Sequence, residues 1–305
     1  MKYILTLVAL YGNLAYGQYS LGLNLEKGST YFLNISTTMH FDGEMNGQKM
    51  SMSSTTTAYA RFKVIEASDL GYKLEASYDS FHIAIKSPMG LMEFSTNTTS
   101  GNNDMSSGTS NTMSKKYFNV TLLKNGAVEK IENSDTTAYL AMLKNFPMAE
   151  GIKKMLQMGN FKNSFNRQTL KENIEKITAI FPNKKVRLNE AWGETIMPDS
   201  GTDNSIKTSY QLVDYTAGIA TIKGHSESKL RSVPKQGARF PVNYDLQGKS
   251  ESTIKVDAAT GWIKEAEINR DMTVQLKLKT DNATQEAKAS PIQIAFTVKM
   301  NGSKL

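Results

Sequence analysis

The side chains equipped for chemistry are few and scattered. His40, His82 and His225 are the three imidazoles of the chain, and cysteine is absent. Without thiols there is no disulfide, no Cys-ligated zinc or iron–sulfur centre, no thiol nucleophile and no lipid-modified N-terminal cysteine. None of the histidines falls in a His-x-x-x-His pair, the spacing that sets two imidazoles on one helix face for a metal. His40, Asp42 and Glu44 alternate onto one strand face and offer ligand types to a cation; next to Gly43 and Gly47 they read as a solvated strand end. The nearest approach to a nucleophile elbow, Gly224-His225-Ser226-Glu227-Ser228, lacks the second glycine and lies in a β pattern, whereas the elbow needs a strand-to-helix turn. Glu265 and Glu267 share a strand face, and a carboxylate pair serves a glycosidase only at a set separation across a cleft. No phosphate-cradling loop or dinucleotide fingerprint appears. The expectation is a non-catalytic protein with no cofactor and no metal, a hydrolase being the lesser alternative.

The wider composition excludes other classes. With 39% hydrophobic and 21% charged residues the chain reads as globular, neither fibrous nor wholly disordered. The 36 Lys and Arg against 29 Asp and Glu leave a mild basic excess, dispersed in short pairs such as Lys115-Lys116, Lys153-Lys154 and Lys184-Lys185. No nucleic-acid-binding signature accompanies it, so a nucleic-acid partner is not expected. Among the 16 methionines, Met142, Met148, Met155 and Met158 cluster in one segment and suit either a core or an adaptable apolar surface. Trp192 and Trp262 read as packing residues.

The N-terminus reads as a secretory signal. Lys2 precedes an apolar run from Tyr3 to Leu10, and Ala15 and Gly17 are small residues at peptidase positions. Cleavage is expected between Gly17 and Gln18. The run is shorter than the ~20 residues of a membrane-spanning helix, and no second span follows, so the mature chain is expected to be periplasmic or extracellular.

The elements that must position any site are mostly strands. Tyr31, Leu33, Ile35 and Phe41 oppose Asn34, Ser36, His40 and Asp42. The same period of two recurs at Phe62-Val64, at Tyr72-Leu74-Ala76-Tyr78, at Phe81-Ile83-Ile85, at Phe118-Val120-Leu122, at Met272-Val274-Leu276-Leu278 and at Ile292-Ile294-Phe296-Val298. Clean alternation marks strands with one wet and one dry face, as in antiparallel sheets. Three hairpins carry a glycine just before an apolar residue, Gly71, Gly218 and Gly261, which predicts positive φ in each turn.

A helical insertion interrupts this pattern. One helix is expected after Ser134 with Tyr139, Met142, Leu143 and Phe146 on one face, a second around Ile152-Leu156, and a third from about Ser164 to Phe181 with Leu170, Ile174, Ile177 and Phe181 in one stripe. Residues 95–116 and 199–205 are polar connecting loops. The organisation is thus a signal at 1–17, a β half at 18–133, helices at 134–182 and a second β half at 183–305, as one composite domain. The fold class is mainly β (α+β): curved antiparallel sheet, continuous or as two lobes, with the helices packed on its apolar face.

Three segments carry a family resemblance. The opening Leu25-Glu26-Lys27-Gly28-Ser29-Thr30-Tyr31, the middle Phe181-Pro182-Asn183-Lys184-Lys185-Val186 leading to Glu190-Ala191-Trp192, and the turn Asp257-Ala258-Ala259-Thr260-Gly261-Trp262 resemble those of a family of uncharacterised exported Bacteroidetes-type proteins. That family usually has Gly before the middle Trp, where this chain has Glu190-Ala191. The resemblance implies export and carries over no catalytic residue. At the level of fold, strands then helices then strands is similar to the half-barrel of outer-membrane lipoprotein carriers. The functional expectation is an exported module that binds an apolar or amphipathic ligand, a lipid for example, between sheet and helices; the alternative is a structural or protein-interaction component of the envelope, with another envelope protein as partner.

Overall fold

The computed structural model describes residues 17–45, 48–88, 90–95, 117–133, 167–196, 205–232, 242–279, 286–288 and 291–305. The expected signal before Gly17, the first two helical pieces and the polar loops at 96–116 and 199–204 lie outside these residues.

The described chain is one antiparallel sheet of 13 strands with one helix. The strands are β1 (Thr30–Met45), β2 (Gln48–Ala67), β3 (Gly71–Ser87), β4 (Gly90–Ser95), β5 (Tyr117–Leu123), β6 (Val128–Glu132), β7 (Ala191–Ile196), β8 (Ser205–Thr216), β9 (Ile219–Ser232), β10 (Val242–Asp257), β11 (Ile263–Lys279), β12 (Glu286–Lys288) and β13 (Ile292–Lys304). Their spatial order is β6-β5-β3-β2-β1-β13-β11-β10-β9-β8-β7, with β4 beside β3 and β12 beside β11. The two β halves are therefore one continuous sheet. The seam is β1 against β13, in register from Tyr31–Lys304 to Asp42–Gln293.

The alternation seen in the sequence becomes two faces. In β1 Tyr31 and Leu33 are buried while Asn34 and His40 are exposed, and the register places Phe62 and Ala60 of β2 opposite Tyr31 and Leu33. The buried residues are concentrated where the β2–β3, β5–β6, β8–β9 and β10–β11 turns lie: Tyr31, Phe62, Val64, Tyr72, Leu74, Val120, Leu122, Leu212, Ile222, Ile254, Val256 and Trp262 belong to one cluster. This end is the packed end of the sheet.

A strap across that end closes the structure. The helix α1 (Arg167–Thr178) buries Leu170 and Ile174, and its Thr178 Oγ1 donates to Gly126 O in the β5–β6 turn at 2.6 Å. Two residues later Ile180 O accepts the indole N–H of Trp192, on β7, at 3.0 Å. Along the sheet order β6 and β7 are the two ends of an 11-strand path; at ~4.8 Å per step they would stand roughly 48 Å apart if the sheet were flat. Two residues span at most ~7 Å, so the sheet is curled until its edges nearly meet, and α1 with residues 179–190 bridges the gap. The N-terminal segment seals the same end. Tyr19 exchanges backbone bonds with Val186, Leu23 N–H donates to Lys124 O at 2.7 Å, and Asn24 N–H donates to Thr260 O at 2.8 Å.

Two local expectations need correction. The third helix ends at Thr178 and not at Phe181, because the Thr178 hydroxyl turns to Gly126 O and Ile174 O and Phe181-Pro182 continue as buried extended chain. Gly218 and Gly261 do have positive φ, 77° and 69°, but Gly71 does not. Its glycine is required by close approach: a Cβ there would come within 2.0 Å of Leu122 O on β5.

Trp262 is 4% exposed, lies 5.0 Å from the Tyr31 ring and 5.5 Å from the Phe62 ring, and donates its indole N–H to Phe32 O at 3.1 Å. Trp262→Ala is expected to cost about 3–5 kcal/mol in urea denaturation, as for large aromatic truncations in cores. Thr178→Val leaves the Gly126 carbonyl without its donor and should cost about 1–3 kcal/mol, with hydrogen exchange accelerating first in α1 and in the β5–β6 turn.

Candidate functional site

Away from the packed end the strands run on, and their dry face is only half-buried. Following the register outward from Met300, Ala266, Ile254, Ile222 and Leu212, the next row across the sheet is Thr37, Val298, Ile268, Ser252, Gly224, Tyr210 and Trp192. The row after it is Met39, Phe296, Arg270, Ser250, Ser226 and Thr208. The inner face thus divides. Strands β13 and β1 present Val298, Phe296, Ile294, Ile35 and Met39, whereas β8–β10 present hydroxyls and glycines, and Arg270 of β11 stands at the boundary.

The polar side is built closely. Gly224 lies under the Tyr210 ring, since a Cβ there would come within 2.8 Å of Tyr210 Cε1 and 2.4 Å of Ser252 Oγ. Trp192 packs on Tyr210 with ring centroids 6.2 Å apart, and Thr208 Oγ1 and Ser226 Oγ share a hydrogen bond of 2.8 Å. Burial lowers the affinity of the Arg270 guanidinium for its proton, with Tyr210 close enough to act the other way. Lys176, in the last turn of α1, is pushed down by burial and then by the like charge of Arg270, with Glu172 opposing. Lys176 is exposed and Arg270 half-buried, so the two cations lie close enough to repel at the mouth of the inner face and not within a closed interior. Tyr78, on the same face of β3, has its phenol pushed up by burial.

The outer face holds the residues that the sequence made candidates for chemistry. His40, Asp42 and Glu44 do share one face of β1, exposed and spread along the strand, and no group of three metal-ligand residues forms a cation site among the described residues. In Gly224–Ser228 the backbone is a straight part of β9, so His225 and Ser226 point to opposite faces. Glu265 bonds Lys255 at 2.8 Å and Glu267 bonds Asn269 at 3.2 Å; both carboxylates are exposed. The outer face also has an open, polar hollow of about 490 Å³ lined by Gly193, Thr195, Lys207, Ser209, His225 and Glu227. The residues that sequence reasoning missed are Arg270 and Ser250. The alternation of β11 and β10 contained them, at positions of dry parity occupied by polar side chains.

The comparisons with known proteins follow this geometry. Residues 69–263 match the family of unknown function DUF6263, so the chain belongs to that family. The match takes in the Phe181–Trp192 and Asp257–Trp262 motifs and leaves out the Leu25–Tyr31 opening. No curated protein matches the chain in sequence. Among solved structures, one described by its lipid–protein interactions in lipovitellin aligns with a TM-score of 0.50 at 8% identity over 92% of this chain. The chain spans about a quarter of that lipovitellin chain, 26%. The COG4313 outer membrane channel from Pseudomonas putida F1 aligns at 7% identity over 92% of this chain and 97% of the channel, with a TM-score of 0.24. The lipovitellin likeness is one of fold, an open antiparallel sheet. No helix among the described residues is long and apolar enough to cross a membrane.

On the outer face His225 Nδ1 lies 2.5 Å from Glu251 Oε1, and Nε2 lies 3.6 Å from Glu227 Oε1. The hydrogen bond to Glu251 raises the imidazole above its ordinary value, with Glu227 adding to it. Folding therefore favours the protonated ring, and the stability from this pair is fully present below the ordinary histidine value and lost as pH rises through the raised one. An NMR titration of the His225 Hε1 resonance should give a midpoint above 6.5, and Glu251→Gln should bring it down.

Proposed function

We propose that the protein is an exported, non-catalytic binding module that holds an apolar or amphipathic ligand between the inner face of the sheet and the helical layer. One observation carries the reading: the packed core ends part of the way along the strands, yet the apolar alternation continues. Ile35, Met39, Ile268, Met272, Ile294, Phe296 and Val298 face inward and are only half-buried. A sheet face of this kind left to water is an aggregation hazard, and a ligand laid along it removes the hazard and is gripped by it. The lipovitellin fold, described by its lipid–protein interactions, supports the reading as an analogy. The signal-like N-terminus supports export, and among the described residues Tyr19, just beyond the expected cleavage point, already pairs with Val186.

Two measurements test this. Native mass spectrometry of the protein purified gently from its own host should show a stoichiometric lipid or amphiphile, identified after solvent extraction. A bare mass, from a protein that also fails to take up added monoolein, would overturn the reading in favour of a structural envelope component. N-terminal sequencing of the protein from the envelope or medium should begin at Gln18, and a retained Met1 would overturn export.

A further inference from the structure

We infer that the amphiphile is anionic, and that its head sits against Arg270, Ser250 and Lys176 while its chain lies along Phe296, Ile294 and Met39. The inference rests on the proposed binding function and adds the charge of the ligand and the residues that read it.

Arg270 occupies a position that the fold alone would give to an apolar residue. Its neighbours of the same parity on β11 are Ala266, Ile268, Met272 and Val274, and its cross-strand partner on β13 is Phe296. A guanidinium half withdrawn from water loses solvation that a counter-charge would return, and among the described residues Arg270 forms no ion pair or hydrogen bond, with only the Tyr210 phenol acting in its favour. On the neighbouring strands β10 and β13 no acidic residue falls at a register position of this face. The Lys176 cation is nearby and adds repulsion.

A second observation points to the same spot. Ser250, the register partner of Arg270 on β10, is 7% exposed, and its hydroxyl has no hydrogen-bond partner among the described residues. Buried hydroxyls are almost always partnered. Directly opposed residues in an antiparallel pair have Cβ atoms ~5 Å apart, so one oxyanion can accept from the guanidinium and from the Ser250 hydroxyl together. Lys176, exposed in the last turn of α1, is near enough to Arg270 to add its positive charge. A carboxylate or phosphate head satisfies all three groups, and bidentate pairing with Arg is the strongest form of such a contact. The half-buried apolar stripe of β13 and β1 begins one strand away and accepts the chain. A cationic or neutral head would leave the Arg270 guanidinium and the Ser250 hydroxyl without an acceptor among the described residues.

Isothermal titration of the mature full-length protein with oleate, below its aggregation concentration, and with neutral monoolein separates charge from apolar contact. Wild type is expected to bind oleate about tenfold or more tightly than monoolein, the worth of one charged hydrogen bond. Arg270→Gln and Lys176→Gln should each erode that preference and leave monoolein affinity within about twofold, while Arg270→Lys keeps part of it; these ratios follow if the charge acts on the head alone. Arg61→Gln, on the outer face, should leave it intact. Acetate, the head without a chain, should not compete. Because Arg270 has no ion pair among the described residues, Arg270→Gln is expected to melt at or above the wild-type temperature; should it fail to fold, Ser250→Ala and Lys176→Gln carry the same readout. Equal affinity of wild type for oleate and monoolein, or a preference untouched by these variants, overturns the charge assignment and leaves the binding function standing. A folded protein that binds neither ligand overturns both.

Discussion

The structure depends on one geometric demand: the two edges of an 11-strand path must be brought within reach of a few residues of chain. The contacts that achieve it are modest in number. Thr178 ties the helix to the β5–β6 turn, Ile180 ties the same chain to Trp192 on β7, and Tyr19 pairs with Val186 between them. Each is an ordinary hydrogen bond, of the order of 1 kcal/mol net. Their leverage comes from position, because the curl they hold turns the dry face of every strand toward a common interior. The aromatic group of Trp262, Tyr31 and Phe62 supplies the apolar burial behind them.

That interior is not uniform. Near the turns it is close-packed in the manner of any core. Farther along the strands the side chains thin to Ser, Thr and Gly on β8–β10 and stay large on β13 and β1, with Arg270 at the boundary. A sequence selected for stability alone would fill this space with Leu or Val and would not place a guanidinium beside a buried hydroxyl, neither of them partnered among the described residues. Such departures from local consistency are where function is expected.

The fold was largely legible in the sequence because it is written in period two. Tyr31-Leu33-Ile35 and Ile294-Phe296-Val298 could be assigned to the dry face from alternation alone, and they are. Which strands pair is a long-range property, so alternation left one sheet or two lobes undecided; the β1–β13 seam, joining residues from opposite ends of the chain, answered it. Gly71 was misjudged because a glycine selected for close approach looks the same in sequence as one selected for positive φ. The site was less legible. Motif reasoning directs attention to histidines and carboxylates, which here lie on the solvated face, while Arg270 in Asn269-Arg270-Asp271 reads as one of many surface charges until its parity along β11 is counted. Ser250 is marked only by its parity along β10, and its burial is made by strands distant in sequence.

The pairing of β1 with β13 also bears on how the molecule comes to exist. Tyr31 meets Lys304, so the central seam of the sheet joins the first and the last of the described strands. Contacts of such wide sequence separation are slow to form, and a chain emerging residue by residue can pair β1 with β2 early but cannot pair it with β13 until that strand has been made. Hairpins can form early, and the contacts over the turns need the chain only as far as Thr260, but the seam waits for β13. A protein assembled in this order carries two sets of hairpins with open edges until its last strand joins them.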